Sequence, residues 1–365
     1  MDRATPSLDF AIIGHQDSWQ NITDFINGIR TLEEGELTTE KIKDIYSYIP
    51  ARSLFKMKVR SKTGAVVNGV YIESFIEPDK LDIPFLRMNI GKVRNAVSYT
   101  KKMGAKIATL GGFTSIVLEG NIDSFSEGET KFTTGNTLTA AFIVKGIEKA
   151  AIGQNLNLED ASVLIVGATG DIGMACVRYF KNRIRKFLLC SRNNQQLEKL
   201  ANELKSENLQ VLYSTSVQDL IPEADVIICV ASSTGIKLTD LKKNAIICDA
   251  GYPKNLETKI EHLDGIHLYH GGMGQISFGY DFEPDYSNHF YRYAAPNIGH
   301  GCVLEAVVLA FENKFESFSA GKGMITVDKM EEIYRLSLKH GIVLAPFYNA
   351  KGLWENSQPQ LIRAL

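Results

Sequence analysis

The sequence predicts an α/β protein built around a doubly wound parallel sheet, and three observations lead there. Residues 161 to about 275 alternate short apolar runs with helical stretches. The runs Val163–Val166, Phe187–Cys190, Val226–Cys229 and Ala245–Cys248 are apolar throughout instead of alternating, as parallel strands buried on both faces are. The first run leads directly into Gly167, Ala168, Thr169, Gly170, Asp171, Ile172 and Gly173, ahead of a helix. Glycines suit such a strand–turn–helix junction because the turn is tight, backbone must approach a pyrophosphate, and the helix must pack on the strand.

That Rossmann-like segment carries further cofactor candidates. The second apolar run ends in Ser191 and Arg192, where an acidic residue would have held the 2′-hydroxyl of NAD. An arginine there suits a 2′-phosphate, so NADPH is the expected cofactor. Later runs end in loops carrying Ala231 and Ser232, then Gly251, Tyr252, Pro253 and Lys254, all at the carboxyl edge where such sheets bind ligands.

The rest follows in chain order. Leu8–Gly14 reads as an opening strand and residues 17 to 48 as helices. Phe55–Arg60 and Ala65–Ser74 alternate around a Lys62-Thr-Gly turn and predict a hairpin. After Pro84, Leu86, Ile90, Val93 and Val97 line one face of a helix, with Arg87, Arg94 and Lys101 on another. No acidic residue occurs from Ile83 to Leu118, which reads either as a solvated face or as a docking surface for an acidic partner. Two glycine-bearing segments, at 110–118 and 132–141, precede a helix of about 137 to 152 with Asn136 or Thr137 as N-cap. Gly271–Ile276 reads as a loop, and the tail from about 290 as mostly helical, with Val327–His340 one helix ended by Gly341. The expected division is an α/β substrate domain over 1–130, a dinucleotide domain with its linking helix over 131–290, and a helical segment over 291–365.

A chain of 365 residues with 44% hydrophobic and 22% charged residues is long enough for two cores. Its net charge of −2 disfavours a nucleic-acid partner. No apolar run reaches membrane-spanning length and no secretory signal opens the chain, so a cytoplasmic location is expected. None of the five cysteines shows metal-ligand spacing, and their odd number argues for a reducing compartment. Four sit in apolar runs or on a helix. Cys302 instead lies among small and polar residues at an expected helix start, after Asn297-Ile-Gly-His-Gly. Helix N-termini favour thiolates, so Cys302 is a nucleophile candidate, set against the plainer reading of a small buried residue. His300 beside it is a candidate proton acceptor, or incidental.

Taken together, the motifs resemble the cyanobacterial long-chain acyl-(acyl carrier protein) reductases. The resemblance rests on Tyr71-Ile-Glu-Ser, Leu110-Gly-Gly-Phe-Thr-Ser-Ile-Val, Phe132-Thr-Thr-Gly-Asn-Thr, the Gly167 turn, Asp249-Ala-Gly-Tyr-Pro-Lys-Asn-Leu and the helix from Cys302 to Phe311-Glu. These stand in the family's order over about three quarters of the chain. More distantly the layout is similar to shikimate dehydrogenase and glutamyl-tRNA reductase. The resemblance implies an acyl-enzyme on Cys302, hydride from NADPH, acyl carrier protein or coenzyme A as acyl donor, and a downstream enzyme that consumes the aldehyde. Donors to the oxyanion would be backbone N–H groups at the Cys302 helix start, or Ser115, Asn136 or Lys254. The chain departs from the family at His300-Gly301, at Gly271–Ile276, which lacks a Val-Glu-His, and over 31–54. Rival readings are a small-molecule dehydrogenase of the shikimate type, a glutamyl-tRNA reductase-like enzyme, and a non-catalytic acyl-binding protein.

Overall fold

Two six-stranded sheets organise the molecule. The computed structural model describes residues 8–354 except 32, 82, 118–121, 126–127, 258–264, 287–292 and 322. The first sheet holds β1 (Phe10–Gly14), β2 (Arg52–Arg60), β3 (Val66–Glu73), β4 (Ile107–Leu110) and β5 (Lys131–Thr133), with β13 (Tyr280–Glu283) at its edge. Their order is β13-β2-β3-β1-β4-β5. β1 lies parallel to both neighbours, whereas β2 and β3 form the expected hairpin. Helices α1 (Trp19–Gly28) and α2 (Thr39–Tyr46) follow β1, and α3 (Leu86–Lys102) covers one face of the sheet. There Val93, Ala96 and Val97 pack against Ala11, Ile13, Val70 and Ile72, the one-sided burial that its apolar spacing dictates. Short helices α4 (Phe113–Val117) and α5 (Ile122–Phe125) then lead to β5.

α6 (Asn136–Gly153) is buried along most of its length and links the two sheets. Its N-cap is Gly135, in the left-handed region, and neither Asn136 nor Thr137 fills that role. The N–H groups of Thr137 and Leu138 are instead taken by Ser319 Oγ and a Glu305 carboxylate oxygen, each at 3.0 Å.

The second sheet holds β6 (Ser162–Val166), β7 (Lys186–Cys190), β8 (Gln210–Ser214), β9 (Val226–Cys229), β10 (Ile246–Asp249) and β11 (His267–His270), with α7 (Asp171–Phe180) and α8 (Asn194–Ser206). All pairings are parallel and the order is β11-β10-β9-β6-β7-β8. This is the doubly wound sheet expected, and its order reverses between β6 and β9, where such sheets open a ligand crevice.

The segment expected to be a loop at Gly271–Ile276 contains β12 (Met273–Ile276), which pairs with β14 (Ile298–His300) and β15 (Ile342–Leu344). Helices α9 (Gly301–Phe311) and α10 (Val327–Lys339) make up the helical part of the tail, and β16 (Tyr348–Asn349) pairs with β17 (Gly352–Leu353). Strands this short carry too few residues to show a period of two. β5 and β13 place residues 131–133 and 280–283 in the first sheet, across the divisions drawn at 130 and 290. Among the described residues, no helix is long and apolar enough to cross a membrane.

Candidate active site

Cys302 is the second residue of α9, which packs on the face of the first sheet carrying Ile12, Tyr71 and Ile107. Two contacts fix its backbone: Thr109 Oγ1 donates to its carbonyl at 2.6 Å, and Gly135 lies so close that a Cβ there would strike it. The side chain faces a small cavity at the carboxyl edge of the first sheet. Gly14 at the end of β1 and His15 just after it, Gly111 and Gly112 after β4, Tyr252 after β10, and His300 line it. Residues from both sheets therefore meet at one thiol.

Cys302 is half-buried, whereas Cys176, Cys190, Cys229 and Cys248 are fully buried. Its thiol is pushed up to about 11, chiefly by burial, with the backbone N–H groups of Gly112 and Val303 acting the other way. The helix-start N–H of Val303 thus favours the thiolate, as expected. Desolvation of the sulphur outweighs the helix-terminal donors in the resting state.

The other candidates are only partly brought together. Ser115 Oγ donates to the Gly112 carbonyl at 2.8 Å, which secures the turn and leaves its hydroxyl engaged there. Asn136 Nδ2 donates to Asp171 Oδ2 at 3.0 Å, while the Gly323 N–H donates to Asp171 Oδ1 at the same distance. That pair ties α6 to the glycine turn. Lys254 Nζ donates to the Asp249 carbonyl at 3.2 Å, and burial lowers its pKa. His300 is pushed down to about 3, chiefly by burial, with the Lys254 charge acting the same way, and its ring meets Tyr252 edge-on at 4.8 Å. Burial, which disfavours the charged ring, weighs against the proton-acceptor role offered for His300.

The Val303 N–H is one of the helix-start backbone donors expected from the sequence. Sequence reasoning missed three other parts of the site. The Gly112 N–H is backbone and leaves no side-chain signature. His15 sits alone after an apolar strand. Glu305 is buried on an apolar helix, where it accepts from Thr133 Oγ1, Ser319 Oγ and the Leu138 N–H. A carboxylate amid Leu304, Ala306 and Val307 was the available signal, since such groups stay buried only when hydrogen-bonded.

The crevice of the second sheet gathers the cofactor candidates. Gly167 has φ +92° beside the Val230–Ala231 backbone, and a Cβ on Gly173 would strike the Gly167 carbonyl. The turn therefore fits a bound dinucleotide: only glycine packs there, and α7 opens just beyond it as an anion-facing helix start. Ala168 is buried beneath the turn and Ile172 packs against the core. Thr169 Oγ1 meets Ser191 Oγ at 2.5 Å, and the exposed Arg192 donates to Ser232 Oγ at 2.8 Å. Asn255 accepts from the Ala231 N–H at 3.0 Å, and Asp249 accepts from the Gly251 N–H at 3.1 Å, which orders the loop carrying Tyr252 and Pro253. No cluster of potential metal ligands occurs among the described residues.

Comparisons with known proteins extend this geometry. The chain is 34% identical over 345 residues to a long-chain acyl-[acyl-carrier-protein] reductase of Synechococcus elongatus, covering 91% of this chain and 97% of the relative. It is 26% identical over 293 residues to aminotransferase PigE of a Serratia species, covering 79% of this chain and 34% of that protein. The shikimate / quinate 5-dehydrogenase family matches residues 148–270. Among solved structures, shikimate 5-dehydrogenase of Listeria monocytogenes with shikimate and NAD is similar at TM-score 0.32 and 12% identity, over 69% of this chain and 82% of that one.

Proposed function

The chain belongs to the long-chain acyl-[acyl-carrier-protein] reductase family, and from that premise we propose that it reduces a fatty acyl thioester to the aldehyde, with Cys302 as acyl carrier and NADPH as reductant. The nicotinamide class of cofactor follows from the family; the choice of NADPH is supported by Arg192, Ser191 and Ser232 at the end of the second sheet's crevice. The observation that carries the covalent step is the half-buried thiol at a helix start, facing a cavity built from both sheets.

In the first step the Cys302 sulphur bonds to the thioester carbonyl carbon and the carbon–sulphur bond to the carrier breaks. The proton lost by Cys302 ends on the carrier thiol, so acylation is balanced without an outside acid or base. The Gly112 and Val303 N–H groups are placed to receive negative charge on sulphur or on the carbonyl oxygen as it develops. The Gly167–Gly173 turn would hold the pyrophosphate, and Tyr252 and Pro253 would flank the nicotinamide. Once bound, the nicotinamide supplies hydride to the acyl carbon. Release of the aldehyde breaks the carbon–sulphur bond and leaves Cys302 as thiolate, which takes one proton from solvent to return to the thiol; sulphur is a good leaving group as well as a good nucleophile.

Acyl carrier protein is the proposed acyl donor, and the aldehyde is a substrate for an enzyme that consumes it. Five free cysteines support a reducing compartment, the cytoplasm. The test is NADPH-dependent aldehyde release from acyl-acyl carrier protein. Oxidation or reduction of small hydroxy acids without thioester turnover, or acyl binding without aldehyde, would overturn this reading.

A further inference from the structure

We infer that His15 is a positioning residue of the Cys302 site: as the neutral Nδ1–H tautomer it fixes the turn that presents the Gly112 N–H to sulphur. The inference rests on Cys302 being the reacting group. His15 follows β1 and is buried, with 1% of its surface exposed. Its Nε2 lies 2.8 Å from the Phe113 nitrogen, which can only donate, so Nε2 accepts. Its Nδ1 lies 3.1 Å from the Gln16 carbonyl, which can only accept, so Nδ1 carries the hydrogen. Both partners thus select one neutral tautomer.

The turn it holds is the one that reaches the thiol. Gly112, adjacent to Phe113, is at φ +57°, and a Cβ on it would come within 2.7 Å of both His15 Nε2 and a Tyr252 ring carbon. Gly112 is therefore clamped between an imidazole of the first sheet and a tyrosine of the second. Tyr252 completes the clamp, with its ring 5.3 Å from that of His15 and its hydroxyl donating to the His15 carbonyl at 3.3 Å. A proton on Nε2 would face the Phe113 N–H with another N–H and drive the turn apart. The titratable groups that bear on His15 are Asp17 from its own loop and the neutral His300 from across the cavity. Burial disfavours the charged ring, in keeping with the bonding pattern.

The experiment compares wild type, His15→Phe and His15→Gln by the rate at which iodoacetamide modifies Cys302, read by peptide mass from pH 6 to 11. Phenylalanine keeps a ring but offers no acceptor; glutamine can place a carbonyl near the position of Nε2. We expect His15→Phe to slow modification by about threefold to tenfold at each pH from 7 to 10, as loss of one hydrogen-bond donor to a charged group requires. His15→Gln should return to within about twofold of wild type. An unchanged profile in His15→Phe, or equal loss in both variants at equal melting temperature, overturns the inference. Should His15→Phe not fold, nitrogen NMR of wild-type histidines decides it: an Nε2–H or doubly protonated His15 at pH 7 contradicts the assignment. Thiol modification needs no acyl donor, so it can fail separately from aldehyde release.

Discussion

At pH 7 a thiol held near pKa 11 is ionised in about one molecule in ten thousand, so Cys302 rests protonated. Its alkylation rate in the free enzyme should therefore rise about tenfold per pH unit from 7 to 10 without a plateau; a plateau near pH 8 would show a preformed thiolate. Arg192 makes a second prediction at this scale. Arg192→Ala should weaken NADPH roughly tenfold to a hundredfold, the worth of about 1.5 to 3 kcal/mol for a charge-assisted contact, and leave NADH nearly untouched. Equal loss for both cofactors, measured by fluorescence titration, would assign Arg192 to structure. Cys302 and Arg192 stand out in the sequence because residue type and position coincide with an element's end, and the structure keeps both at those ends. Asn136 was less legible, since its partner Asp171 lies 35 residues away in sequence.

Among the elements, α3 carries the basic face proposed to meet the carrier. The acid-free stretch around it does not act as one basic surface, and its end, Leu118, lies outside the described residues. Lys92 Nζ is tied to the Ser47 and Phe75 carbonyls, and Lys106 pairs with Asp9 at 2.9 Å. Arg87, Arg94 and Lys102 are the exposed charges. Reversing Arg87 and Arg94 to glutamate should raise the KM for acyl-acyl carrier protein and flatten its salt dependence while sparing a short acyl-coenzyme A, because such contacts steer encounter and are screened by salt. Parallel loss with both donors would return the face to folding. On α9, Glu305→Ala strips the acceptor from Thr133, Ser319 and the Leu138 N–H, and should cost on the order of 3 kcal/mol in denaturant unfolding; a loss below about 1 kcal/mol would mean that water replaces the carboxylate. α3 and α10 were readable from amphipathic spacing. The α6 cap was not, since its partners Glu305 and Ser319 arrive from more than 160 residues away.

For the whole molecule, burial of neutral histidines links stability to pH. His270 and His300 are both pushed down to about 3, and His15 is also lowered. Between their ordinary value near 6.5 and about 3, the unfolded chain binds protons that the native state refuses, so stability is intact above pH 6.5 and falls as pH drops through that window. Glu73, pushed up to about 7 by burial, and Glu305, also raised, act the other way over this window, but the three histidines outnumber them, so the melting temperature should decline from pH 6.5 to 4; a flat or rising profile would mean that the buried carboxyls offset the rings or that the rings take up protons in place. The doubly wound sheet was legible from its uniformly apolar strands. What the sequence left hidden is the joining of the sheets, where β13 returns to β2 and α9 lies on β4, pairings that no local pattern announces. That joining puts one thiol beside both halves, and the most direct measurement is the mass of the protein after incubation with mixed acyl thioesters and no NADPH. A single acyl adduct on the Cys302 peptide, missing in Cys302→Ser and released as aldehyde when NADPH is added, is the predicted result. Aldehyde formation by Cys302→Ser at near wild-type rate, with no adduct on either protein, would contradict it.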